Sequence, residues 1–246
     1  DYLTEIRTGG LNRRWPAAYE LSRQMGDPAV RSDRSLGPAL EEAFDESVDP
    51  KVRQYLALAL GRLDPPLSAR AVASLTKALD DPNDEARLAA IWALGSSGHP
   101  AVAERLRPLY GSQDAGIRKM VVYALGALPG DTQIPTLRTA LEDAEADVRW
   151  NAAVALARHA SADGLSVIRQ MLDRPYVEGA VRRDIGVGAD IDPVSDVMIS
   201  GVRAAASLRE VSLKATLEGL SREDRSLKVR QAALDALKHL EASVSN

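Results

Sequence analysis

Five arginines recur along the chain at a spacing that a single globular core would not impose. Arg53, Arg87, Arg118, Arg149 and Arg230 are each followed seven residues later by leucine (Leu60, Leu94, Leu125, Leu156, Leu237), and alanine precedes every one of those leucines (Ala59, Ala93, Ala124, Ala155, Ala236). The first four arginines lie 34, 31 and 31 residues apart, a period that belongs to arrays of repeated supersecondary units. In such an array each unit buries its apolar face against its neighbour.

The unit itself is a helical hairpin. Four of the five arginines follow an acidic residue suited to an N-cap or first turn (Asp49, Asp84, Asp114, Glu145). Three of these helices run into glycine (Gly61, Gly95, Gly126), as a helix stop prefers. Upstream lies a second apolar helix in each case, with Leu36/Leu40/Phe44, Val72/Leu75/Leu79, Leu106/Leu109 and Ile134/Leu137/Leu141 at helical spacing. The template extends to both ends: Asn12 to Met25 fits with Arg14, Ala17, Ala18 and Leu21 in register behind a short Tyr2 to Arg7 segment. Ser195 to Leu208 fits with Arg203 in the arginine position and Glu210 replacing the leucine. The expectation is seven hairpins, the first incomplete, forming one domain over residues 1–246 with an unperiodic inserted loop at about 174–194.

Composition agrees. Aromatics are only 4% of residues against 45% apolar overall, so small aliphatic side chains dominate and favour close helix packing over sheets. The 31 basic and 35 acidic residues are interspersed and give a net charge of -4, which argues against nucleic acid as a partner because backbone binding needs a basic excess. Cysteine is absent, so disulfide and thiolate chemistry are excluded. No apolar run approaches the roughly 20 residues of a membrane span. Because the chain begins at Asp1, an upstream signal or membrane anchor is an open expectation; a cytoplasmic and a membrane-anchored soluble domain both fit, and a monomer is expected.

The repeated pattern, as in Asp147-Val148-Arg149 followed by Ala152-Ala153-Val154-Ala155-Leu156, resembles the short bacterial HEAT repeats also found in phycobilin lyases. The opening Tyr2-Leu3-Thr4-Glu5-Ile6 through Asn12-Arg13-Arg14-Trp15 resembles the start of bacterial HEAT proteins that carry an upstream membrane anchor. The resemblance implies an all-α, right-handed α-solenoid, or superhelix, of about seven HEAT-type hairpins. Such arrays are mostly interaction scaffolds, although fold does not decide function.

Catalytic signatures are missing from the sequence. His99, His159 and His239 stand about two repeats apart, with no nucleophile and base beside them. The His-Glu pairs of HEAT-repeat iron hydroxylases do not occur, nor does the basic groove of HEAT-like DNA glycosylases. Asp184, Asp190, Asp192 and Asp196 with Gly186 and Gly188 could supply oxygen ligands to a hard cation, but their spacing does not match an EF-hand and a solvated acidic loop is the expected reading. No cofactor and no metal are expected.

Two columns remain. The arginines Arg14, Arg53, Arg87, Arg118, Arg149, Arg203 and Arg230 are expected to form a structural ladder bridging acidic residues of neighbouring hairpins; ligand carboxylates or phosphates are the alternative targets. On the second helix of each hairpin, positions three, four, six and seven after the arginine form the buried arc. Positions one, two and five fall on the opposite face and hold Trp15, Tyr19, Tyr55, Trp92, Tyr123 and Trp150. With Lys119 these residues are expected to line an inner groove that binds a protein or peptide. The expected function is a non-enzymatic scaffold, with a bilin lyase or chaperone as the alternative class and nucleic-acid binding disfavoured by charge. The insertion is expected to fold over the groove edge and help select the partner.

Overall fold

A computed structural model describes residues 2–181 and 192–244. Among them all regular structure is helical, and the chain divides into two compact units, 1–132 and 133–246.

The first unit contains four hairpins. α1 (Tyr2–Thr8) packs on α2 (Leu11–Gln24); after the short α3 (Pro28–Arg31) come α4 (Leu36–Glu46) with α5 (Pro50–Leu60), and α6 (Ala69–Lys77) with α7 (Asp84–Gly95). The fourth hairpin has only a brief first helix, α8 (Ala103–Leu106), between 3-10 turns at Pro100–Val102 and Arg107–Gly111, followed by α9 (Ala115–Ala127). Its brevity has a local cause, since Pro108 has no amide hydrogen with which to extend α8. The second helices α2, α5, α7 and α9 stand side by side in that order.

Starts of these helices follow cap chemistry. The Asp49 carboxylate accepts the amides of Lys51 and Val52, and Asp114 accepts that of Ile117. Asn83, not Asp84, caps α7, and Glu145 stands at the cap of the corresponding helix in the second unit without using its side chain. The predicted buried arc is realised: Leu56, Ala57, Ala59 and Leu60 are buried, as are Ala90, Ile91, Ala93 and Leu94, and Val121, Val122, Ala124 and Leu125.

The glycines at the helix ends have a different reason from the one expected. Gly61 caps α5 at φ -67, outside the left-handed region. A Cβ there would stand 2.6 Å from the Trp92 ring and 2.7 Å from Ala93 Cα, and one at Gly95 would stand 2.6 Å from Ala124 Cα. These glycines let consecutive second helices touch. Loops of adjacent hairpins are tied as well: the Leu67 amide donates to Ser97 O (2.9 Å) and His99 Nε2 donates to Leu67 O (2.7 Å).

The second unit begins with α10 (Ile134–Ala140) and α11 (Ala146–Arg158). α12 (Leu165–Met171) pairs with α14 (Pro193–Ser207), and α15 (Lys214–Glu223) with α16 (Leu227–Val244). Between α12 and α14 stands α13 (Arg174–Ala180), which packs on both. The expected loop at 174–194 therefore opens with a helix, capped by Asp173 and anchored by fully buried Val177; residues 182–191 lie outside those described, and Asp184, Gly186, Gly188 and Asp190 with them. Asp192 is the N-cap of α14 and Asp196 lies in its first turn. Counted over the described residues, the hairpins number seven, the sixth with an added helix.

Candidate functional site

In the first unit, the face of the second helices turned away from the core carries a near-continuous run of rings and cations. Trp15 on α2 is 37% exposed and Tyr19, one turn on, 41%. Lys51 Nζ of α5 lies 5.1 Å from the centre of the Trp15 ring. Tyr19 and Tyr55 meet edge to face at 5.2 Å between ring centres, the arrangement that aromatic quadrupoles favour. Past the end of α5, the Arg62 guanidinium lies 5.7 Å from the centre of the half-buried Trp92 ring and donates to Ser22 O (3.1 Å). On α9, Tyr123 is 38% exposed, with exposed Lys119 one turn before it.

Six of the seven residues read from the sequence as partner-binding thus share one face of one unit. Trp92 is partly a packing residue, because its ring covers Gly61. Lys51 and Arg62 belong to the same surface, and a search for rings alone passes over them. The signal is in the sequence: Lys51 precedes Arg53 by two positions and Arg62 follows Gly61, so both fall on that face.

Trp150 does not join them. It is 6% exposed and sits in the core of the second unit, in a cluster with Ala153, Ile168, Met171 and Val177. Helix α13 contributes Val177 to that cluster, and the Tyr176 hydroxyl accepts from Arg149 (3.3 Å). A position that faces outward in the regular repeats is buried where an extra helix arrives. Among the described residues the Trp150 Nε1 hydrogen has no acceptor, which fits a ring held by apolar packing.

The arginine column is structural in most hairpins, but by a route that the sequence does not announce. Arg53 donates to the carbonyls of Ser47 and Val48, Arg87 to that of Asp81, Arg118 to those of Ser112 and Gln113, and Arg149 to those of Asp143 and Ala144. Each guanidinium reaches back five or six residues to the turn before its own helix, satisfying carbonyls that the preceding helix leaves open. Arg14 does the same with Gly9 O (2.7 Å). The predicted bridge between neighbouring hairpins is present at Arg53, whose Nε donates to Asp81 at 2.7 Å. Burial opposes ionisation of Asp81, yet the Arg53 hydrogen bond, the Asn83 amide and the charges of Arg53 and Arg87 hold its carboxyl below the usual aspartate value. Arg87 also pairs with Asp84.

Two members of the column need correction. Arg203 is the eleventh residue of α14 and lies toward its C-terminal end, whereas a ladder arginine sits in the first turns. Burial of Gly201, Val202, Ala204 and Ala205 repeats the arc of α5, α7 and α9 with Met198 in the arginine position. Arg230 is half-buried on α16 and has no side-chain partner among the described residues. Asp224, six residues before it as Asp81 is before Arg87, is instead gripped by Arg174 of α13. Nε donates to one carboxylate oxygen at 2.9 Å and Nη2 to the other at 2.6 Å. This fork, first by its hydrogen bonds to Asp224, raises the Arg174 pKa above its ordinary value.

Comparison with known proteins places this architecture. The HEAT-repeat family matches residues 37–125 and 109–185, together more than half of the chain, and the chain belongs to that family. A relative from Pseudanabaena tenuis, the uncharacterized phycocyanin operon protein Z, is 30% identical over 141 residues, which cover 53% of this chain and 70% of that one. Among solved structures, a chain of the complex of CpcE and CpcF of phycocyanin lyase from Nostoc sp. PCC7120 superposes with a TM-score of 0.60 at 18% identity, covering 97% of this chain and 93% of that one. A designed armadillo repeat protein in complex with the peptide (KR)4 gives 0.53 at 17% identity over 97% and 98% of the two chains. At these identities both structures show a shared fold. No helix among the described residues is long and apolar enough to cross a membrane.

Proposed function

We propose that the chain is a protein-binding scaffold whose first unit docks a segment of a partner on the face formed by α2, α5, α7 and α9. One observation carries the reading: Trp15, Tyr19 and Tyr123 stay more than a third exposed although a densely packed core lies one helix face away. Rings of this size cost contact free energy when left in water and dominate binding hot spots when covered. Cations at Lys51 and Arg62 add directional charge without a desolvated ion pair.

A photo-crosslinking amino acid at Tyr19, Tyr55 or Tyr123, compared with one at Glu104 on the first-helix side, tests this. A common adduct from the three face positions and none from position 104 supports docking there. Adducts from position 104 alone overturn it.

A second reading is favoured by the phycocyanin-related names of the relative and of the solved structure: handling of a bilin chromophore, as a lyase component or chaperone. A saturable change in bilin absorbance that Trp15→Ala abolishes would replace peptide docking as the primary role of the face. A featureless titration would remove the chromophore reading.

A further inference from the structure

We infer that the second unit carries an anion-binding cleft between α14 and α16, suited to a carboxylate or phosphate group attached to a compact apolar body. It is independent of the docking face proposed for the first unit. The cleft, open to solvent on one side, offers about 540 Å³, within the range of small-molecule sites. Val202, Ala206, Ala232 and Ala236 give it an apolar lining, where larger side chains would fill the hollow.

Arg203, Arg209 and His239 line its rim. Arg203 and Arg209 make no side-chain hydrogen bond or ion pair among the described residues, whereas Arg14, Arg53, Arg87, Arg118 and Arg149 all hold backbone carbonyls. The one acid at the rim, Asp235, is already engaged by Gln231 (3.1 Å) and Lys238 (3.3 Å). Two guanidinium forks with unspent donors above an apolar floor are complementary to an oxyanion on an apolar body.

Arg209 stands at the end of α14 with φ 52, a left-handed conformation that a glycine adopts more easily. Ala160 ends α11 in the same way with φ 54, so the turn itself is a helix-ending device and carries no ligand information. What Arg209 adds is a second guanidinium residue lining the same cleft as Arg203, at a position where glycine would be less strained.

That strain separates a binding role from a structural one. Isothermal titration of the full chain with 1-naphthyl phosphate and with 1-naphthoate should give saturable binding of at least one of them, with a Kd below about 1 mM; which one binds distinguishes a phosphate source from a carboxylate source. Naphthalene-1-methanol, the neutral counterpart, should bind at least about tenfold more weakly. Arg203→Gln should weaken the anion about tenfold. Arg209→Gly should do the same while the melting temperature holds or rises, because glycine relieves the left-handed turn. Absence of anion binding by the wild type, equal binding of the neutral compound, unchanged affinity in both Arg203→Gln and Arg209→Gly, or a fall in melting temperature for Arg209→Gly would each overturn the assignment.

Discussion

The two units spend the same repeat on different tasks. In the first, consecutive hairpins meet directly: Arg53 reaches Asp81 of the next hairpin, glycines let second helices touch, and aromatic residues of the outward face stay exposed. In the second, α13 has entered the array, takes over the first of these and reverses the last. Its Arg174 supplies the cation for Asp224, and its Val177 joins the core that buries Trp150. An added helix in a repeat array thus reassigns side chains that the repeat pattern alone would place elsewhere.

The sharpest way to break this comparison is to remove the two bridging arginines. Arg174 and Asp224 side chains are 12% and 2% exposed, so Arg174→Leu leaves a buried carboxylate with the Ser226 amide (2.8 Å) and no cation in place of Arg174, and should cost about 3–5 kcal/mol. Arg53→Leu should cost about 2 kcal/mol, since Asp81 retains the Asn83 amide and the charge of Arg87. Denaturant unfolding of the intact chain measures both. Replacing Arg174 and Asp224 together by leucine should recover most of the loss. Equal costs for the two single variants would mean that α13 is no more than a local substitute for a direct contact between hairpins.

Glycine substitutions sharpen the contrast at smaller scale. Gly61→Ala forces a methyl into the Trp92 ring and the Ala93 backbone and should destabilise by about 1–3 kcal/mol. At Gly219, within α15, a Cβ would meet nothing within 4 Å, so Gly219→Ala should stabilise by about 0.5–1 kcal/mol through helix propensity. Thermal or urea unfolding checks both signs. A neutral Gly61→Ala would show that the close approach of α5 and α7 relaxes freely.

The architecture was legible because the arc positions do one job in the regular hairpins: Leu56, Ile91 and Leu125 are buried in successive cores, and burial tolerates little variation; after Arg230 the pattern loosens, with Leu234 43% exposed. Face positions have no such constraint. Trp150 shares a column with outward residues, yet its environment depends on α13, a segment with no counterpart in other repeats. Arginine alone is a poor marker of register at Arg203; Asp192-Pro193, matching the cap and first residue of α5 at Asp49-Pro50, marks where α14 starts, but its buried arc begins two residues later from the cap than that of α5. Arg174 lies 50 residues from Asp224, beyond any repeat spacing, although Asp224 at six residues before Arg230 does announce that a cation is due.

The smallest expected effect is one of pH, and it separates the units by the kind of group that bridges them. Asp81 is held below its ordinary value of 3.8 in the folded chain, against the penalty of burial, by Arg53, the Asn83 amide and Arg87. A depressed folded-state pKa means that the unfolded chain binds the proton first as pH falls, so the contribution of Asp81 is fully present above the unfolded value and is lost as pH drops through the folded one. Arg174 is raised above the ordinary arginine value, first by its hydrogen bonds to Asp224, so its own titration lies far above the acid range. Urea midpoints measured from pH 6 down to pH 3 should therefore fall less steeply for Asp81→Asn than for the wild type, by at most about 1.4 kcal/mol per pH unit for a single group. Asp81→Asn also costs stability at pH 6, where the carboxylate is engaged, so the two curves should converge toward acid. Parallel curves would show that Asp81 titrates alike in both states and that the bridge of the first unit contributes geometry without linkage to protons.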